Sequence, residues 1–205
     1  MKDLAAAKSR LTGILTPTQR EALCLAMLRD VLRVLCAVPS VDEVRVVSSD
    51  RKVLAEAVVA GAFPYQDHAI DLNGALAEVA QALDPSDGML IVPGDVPLVR
   101  VDEVCRVIAA GQDGGAIVGT EDGGTGALWV NSPAAIEFRF GRDSFRRHLA
   151  AARGAGVSMR VCSARGLAQD VDSPGDLDAV VRGVGTESAT LVAAFLSRRR
   201  QRLPA

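Results

Sequence analysis

Met89-Leu90-Ile91-Val92-Pro93-Gly94-Asp95-Val96-Pro97-Leu98-Val99 decides the fold. A strand-length apolar run stops at Pro-Gly-Asp-x-Pro, and apolar residues then resume. Such a run suits a strand buried on both faces of a sheet. Its end sets the Asp95 carboxylate at the carboxyl edge, where open α/β sheets form their ligand crevice. An ionised group beside so much apolar sequence needs a partner. Two readings stand: a turn aspartate bonded to its own backbone, or a ligand for a metal ion.

Outward from this stretch, strands and helices alternate. Thr16-Pro17-Thr18-Gln19 predicts a long helix with Thr16 as N-cap, Pro17 at the first position and Gln19 completing a capping box. Leu25, Leu28, Leu32 and Leu35 recur at helical spacing, and Pro39 closes the element. Strands are expected at 44–48, 116–118, 128–130 and 157–161, and helices near 52–60, 73–83, 101–110 and 144–152. This order predicts an α/β sandwich with a mostly parallel sheet. At 205 residues the chain fits one domain spanning 1–205, without internal repeat or linker.

Composition narrows the function. Hydrophobic residues make up 49% of the chain, which excludes disorder. No apolar stretch reaches the roughly 18 residues of a membrane span, and the first residues lack a secretory core. Cys24, Cys36, Cys105 and Cys162 form no C-x-x-C pair and read as small buried residues in a reducing cytoplasm. A net charge of −2 gives no electrostatic case for nucleic acid.

Four further segments could carry chemistry. In Gln169-Asp170-Val171-Asp172-Ser173-Pro174-Gly175-Asp176, Ser173 and Pro174 look like the start of a helix. Asp172 then either complements the helix dipole or shares a divalent cation with Asp95. Lys2, Lys8 and Arg10 lie in an alanine-rich start that reads as a solvated end or as a triphosphate clamp; local pattern favours the former. Glu121-Asp122-Gly123-Gly124-Thr125-Gly126 is a glycine-rich loop entering a strand. Arg139-Phe140-Gly141-Arg142-Asp143-Ser144 precedes a helix, with Phe140 and Phe145 expected in the core. His148, one turn beyond Ser144, reads as a packed or hydrogen-bonded histidine, and His68 as a loop residue without support. The 197–202 basic run reads as a solvated helix end. Neither a Walker A motif nor G-x-G-x-x-G is present.

Together these pieces resemble the guanylyltransferases of coenzyme F(420) biosynthesis, within the MobA-like nucleotidyltransferases. The matching segments are Leu4 through Leu11, Asp71-Leu72-Asn73-Gly74-Ala75-Leu76, Pro93-Gly94-Asp95-Val96-Pro97, and Gly124-Thr125 with Ala127-Leu128. Phe140-Gly141-x-x-Ser144-Phe145-x-x-His148 and Asp170-Val171-Asp172-Ser173-Pro174 complete the set. The resemblance implies a Rossmann-like three-layer sandwich that transfers GMP from GTP to a phosphorylated three-carbon acid and releases pyrophosphate. Phosphoenolpyruvate, 2-phospho-L-lactate and 3-phospho-D-glycerate are the acids implied. It assigns Asp95 and Asp172 to Mg²⁺, Lys8 and Arg10 to the triphosphate, and Asn73 to a segment lining the guanosine site. Thr125, Gly141 and Ser144 fall to the phospho-acid. Gly126 departs from the pattern, since many relatives carry Asn or another polar residue there.

The attacking phosphate oxygen is already ionised at neutral pH, so this chemistry needs no general base. It needs in-line placement and charge neutralisation. Relatives also place a hydrophobic strand just before the lysine matched by Lys2. Met1 falls on that strand's last residue, so a first strand is expected to be missing and homodimerisation through exposed sheet edges would be unsurprising. Competing readings are another MobA-like or sugar-phosphate nucleotidyltransferase, against which the Leu-Ala-Ala-Ala-Lys-Ser-Arg-Leu start speaks, and a non-catalytic nucleotide-binding module.

Overall fold

In a computed structural model, the described residues are 4, 7–69, 71–183 and 185–202. After a short 3-10 turn at Ser9–Leu11, the helices are α1 (Pro17–Leu35), α2 (Arg51–Val59), α3 (Leu72–Gln81), α4 (Val101–Ala110), α5 (Ser144–Gly154), α6 (Arg165–Ala168), α7 (Pro174–Val181) and α8 (Glu187–Arg202). The strands are β1 (Arg45–Ser48), β2 (Phe63–Gln66), β3 (Met89–Ile91), β4 (Gly115–Gly119), β5 (Thr125–Val130) and β6 (Met159–Val161).

The helix starts follow from side chains that satisfy otherwise orphaned N–H groups. Gln19 N–H donates to Thr16 Oγ1 (3.3 Å), and Thr16 N–H donates to Gln19 Oε1 (2.9 Å). Asp50 accepts from Lys52 N–H at the head of α2, and Asp71 from Gly74 N–H at the head of α3, both at 2.8 Å. Gly61, at φ 78°, turns the chain out of α2 into β2.

The strands form two sheets. One has the order β3-β5-β4-β6, with β5 antiparallel to β3 and β4 and β6 parallel to β4. The other pairs β1 and β2 in parallel. Alternate residues of the larger sheet face two different cores, which makes it the middle layer of a three-layer sandwich. Ala116, Val118 and Ala127 pack with α4 residues Val104 and Val107, whereas Ile117, Leu128 and Val130 pack with Leu76, Val79 and Phe138.

Three expectations are corrected. β3 is only three residues long, and Leu90 and Ile91 are half-buried, because among the described residues it lies at the margin of its sheet rather than inside it. β2 had no sequence signal: Pro64 and largely exposed side chains leave no alternation, and its single sheet neighbour β1 makes proline tolerable. Among the described residues, the strands are also divided between two sheets instead of one. A cavity of about 660 Å³ separates them, walled by Val44, Val46, Leu76, Val79, Leu90 and Trp129 and reaching Asp95 and Phe140 at its ends. The strand expected just before Lys2 falls on Met1, which lies outside the described residues. Leu4 is buried at the end of β1, its N–H donating to Asp50 Oδ2 (3.4 Å).

Candidate active site

Asp95 follows β3 and Asp172 precedes α7, so their meeting depends on how the two loops are tied. Val171 N–H donates to the Asp95 carbonyl (3.1 Å). Asp176 fastens the other side, its Oδ2 accepting from Asp172 N–H (3.0 Å), Ser173 N–H (2.6 Å) and Ser173 Oγ (2.8 Å). Asp176 therefore serves as the loop's clasp, and Asp172 is left to face the crevice.

Lys8 fills the space between the two carboxylates. Its Nζ lies 2.5 Å from Asp95 Oδ2 and 3.9 Å from Asp172 Oδ1, and Arg10 donates to Asp172 Oδ2 at 2.8 Å. Lys8 adopts a left-handed backbone at φ 56°, which turns the chain into the Ser9–Leu11 coil and aims the two cations at one point. Burial disfavours its ammonium, but the charge and hydrogen bond of Asp95 outweigh that and hold the Lys8 pKa above its ordinary value. Burial raises the Asp170 carboxyl, reinforced by the negative charges of Asp95 and Asp122. The Thr120 hydroxyl lowers Asp122, with a smaller contribution from Arg10. The glycine-rich loop thus faces the same acidic and basic cluster.

Among the described residues, no group of three His, Cys, Asp or Glu side chains is arranged as a complete metal cage. Two carboxylates converging on one cation are nonetheless the protein share that Mg²⁺ takes when phosphates and water fill its remaining positions. Asp95 and Asp172 could hold it in that way.

The second cluster surrounds the head of α5. Thr125 Oγ1 lies 2.9 Å from Ser144 Oγ and 3.1 Å from His148 Nδ1. Thr125 and Ser144 are nearly buried, at 6% and 2% exposure, and His148 is wholly so. Gly141 takes φ 116°, a glycine conformation, and its carbonyl accepts from Ser144 N–H (3.1 Å). Asn73 clamps this loop twice: its Nδ2 donates to the Phe140 carbonyl (3.2 Å), and its Oδ1 accepts from Phe140 N–H (2.7 Å).

Of the residues singled out from sequence, Lys8, Arg10, Asp95 and Asp172 come together as one group. Thr125, Gly141, Ser144 and Asn73 form another. Asn73 meets the loop before Ser144 rather than the basic cluster. Sequence reasoning gave Asp170 no role, although it opens the matched segment Asp170-Val171-Asp172-Ser173-Pro174. It also passed over Arg20, buried on α1, which donates to Thr12 Oγ1 (3.0 Å) while its Nε has no hydrogen-bond partner among the described residues.

Comparison with known proteins supplies the rest. The model of the family described as "Guanylyl transferase CofC like" matches residues 1–196. A phosphoenolpyruvate guanylyltransferase of Roseiflexus castenholzii is 38% identical over 204 residues, covering 99% of this chain and 96% of that protein. A 2-phospho-L-lactate guanylyltransferase of Methanothermobacter thermautotrophicus is 34% identical over 185 residues, covering 89% and 82%. Among solved structures, one from Desulfovibrio desulfuricans described as a nucleotide-diphospho-sugar transferase superposes with a TM-score of 0.77 at 18% identity, covering 98% of this chain and 94% of its own. A 4-diphosphocytidyl-2C-methyl-D-erythritol synthase gives 0.57 at 14% identity, covering 75% and 86%. At such identities these structures establish the nucleotidyltransferase fold alone.

Proposed function

Because the chain belongs to the guanylyl transferase CofC-like family, we propose that it transfers GMP from GTP to a phosphorylated three-carbon acid, phosphoenolpyruvate first among them, in coenzyme F(420) biosynthesis. The observation that carries this reading is the meeting of Lys8, Arg10, Asp95 and Asp172 at the carboxyl edge of β3. A phosphate oxygen of the acid attacks the α-phosphorus of GTP. The new P–O bond forms as the bond to the β-phosphate breaks, and pyrophosphate departs. Lys8 and Arg10 offset charge on the triphosphate and the leaving pyrophosphate, while Asp95 and Asp172 would hold Mg²⁺, which would supply polarisation of the α-phosphate. For Lys8 this means exchanging a carboxylate partner for a phosphate when nucleotide and metal enter.

Thr125 and Ser144 offer hydroxyls to the phosphate of the acid, and Gly141 lets the backbone approach it. Phosphoenolpyruvate is favoured over 2-phospho-L-lactate because relatives of both names align, with those of the former name at 37–40% identity in several cases. GTP and the acid are the expected partners. No described helix is long and apolar enough to cross a membrane, and metabolite substrates support a cytoplasmic setting.

The test is pyrophosphate release by the purified chain with Mg²⁺, one nucleoside triphosphate and one acid at a time. The reading requires release with GTP and phosphoenolpyruvate together, and little with either alone. Equal turnover with CTP and a sugar phosphate would replace it.

A further inference from the structure

His148 stands one turn beyond Ser144 on α5, and both its ring nitrogens are engaged. Nε2 accepts from the Arg139 backbone N–H at 2.9 Å, and Nδ1 lies 3.1 Å from Thr125 Oγ1. A backbone N–H can only donate, so Nε2 carries no proton. In the neutral ring the proton then sits on Nδ1, where the Ser144 backbone and Thr125 Oγ1 are both in reach as acceptors. Burial, with the Arg147 charge adding to it, pushes the imidazole down to about 4, so the ring is neutral at pH 7.

Counting protons gives the consequence. Thr125 and Ser144 bring one hydroxyl proton each, and one of them closes the 2.9 Å bond between their oxygens. Protonated at Nδ1, His148 accepts nothing from Thr125, so the second hydroxyl proton is left over. The opposite tautomer would have absorbed it. Two backbone donors at the head of α5 are already used, Ser144 N–H on Gly141 O and Phe145 N–H on Gly123 O (3.2 Å). A surplus donor on a nearly buried hydroxyl pair calls for an acceptor, and a phosphate oxygen is a strong one. Asn73 supports the arrangement from behind, since it clamps Phe140, the neighbour of Arg139.

We propose that His148 is a positioning residue for the phosphorylated acid: held as the Nδ1–H tautomer by the Arg139 N–H, it makes the Thr125–Ser144 hydroxyl pair a net donor to the substrate's phosphate. This rests on the assignment of Thr125 and Ser144 to the acid site.

The experiment combines steady-state kinetics, varying phosphoenolpyruvate and GTP separately, with long-range ¹H–¹⁵N NMR of the 205-residue protein, in which His68 is the only other histidine. The spectrum should show His148 protonated at Nδ1. His148→Leu should raise KM for phosphoenolpyruvate roughly ten- to a hundredfold and leave KM for GTP within about twofold. His148→Asn, whose amide can still donate to Thr125, should recover most of the loss. Protonation at Nε2 overturns the proposal. So does a folded His148→Leu enzyme with unchanged KM for the acid when Ser144→Ala raises it, because a merely structural histidine would lower the melting temperature alone. If Ser144→Ala and Thr125→Val both leave that KM unchanged, the acid-site assignment itself falls, and the positioning role with it. Should His148→Leu fail to fold, the wild-type tautomer and the His148→Asn kinetics decide.

Discussion

Lys8 concentrates the chemistry at the residue scale. Its side chain is 8% exposed, and the carboxylate 2.5 Å away makes burial tolerable. Asp95→Asn removes the charge that partners Lys8 and that would help hold Mg²⁺. We expect kcat to fall by roughly 10²- to 10³-fold, the usual cost of losing one transition-state stabiliser, read as pyrophosphate release per enzyme. A variant retaining more than about half of wild-type activity would remove Asp95 from the mechanism. His148 gives a second expectation. Its pKa in the folded protein, about 4, lies below the ordinary 6.5, so the unfolded chain binds the proton more tightly. Its contribution is fully present above about pH 6.5 and is lost as pH falls toward 4, amounting to about 3 kcal/mol at most. Denaturant unfolding should therefore show stability declining across that window. His148→Gln should flatten that part of the profile. Asp95 was conspicuous in sequence because a carboxylate ending an apolar run stands out. The role of His148 was not, because its partners come from β5 and from the loop before α5, which no local spacing reveals.

At the scale of elements, helix starts were readable and sheet margins were not. A cap is a local bond between residues two or three apart, as Thr16, Asp50 and Asp71 show. The half-exposure of β3 and the very existence of β2 depend instead on which strands lie alongside. Gly126 belongs here too. A Cβ at this position would stand 1.9 Å from the Leu167 carbonyl oxygen, so α6 rests directly on the β5 backbone. That contact accounts for the glycine at this position, a reason the sequence alone did not show. Gly126→Ala should force α6 away from the sheet, costing about 1–3 kcal/mol in thermal unfolding. Because α6 leads into Asp170 and Asp172, activity should fall as well. An unchanged melting temperature would contradict this packing.

For the whole molecule, the layered α/β arrangement followed from alternating strand and helix runs. The gap between the two sheets did not, because it is a matter of how strands assemble. The account as a whole stands on one reaction, and ³¹P NMR of a mixture of GTP, phosphoenolpyruvate, Mg²⁺ and the purified chain observes it directly. It predicts pyrophosphate and a mixed diphosphodiester of guanosine and enolpyruvate in equal amounts. Conversion of GTP to GDP and phosphate, or GTP left intact with all three acids, would contradict it.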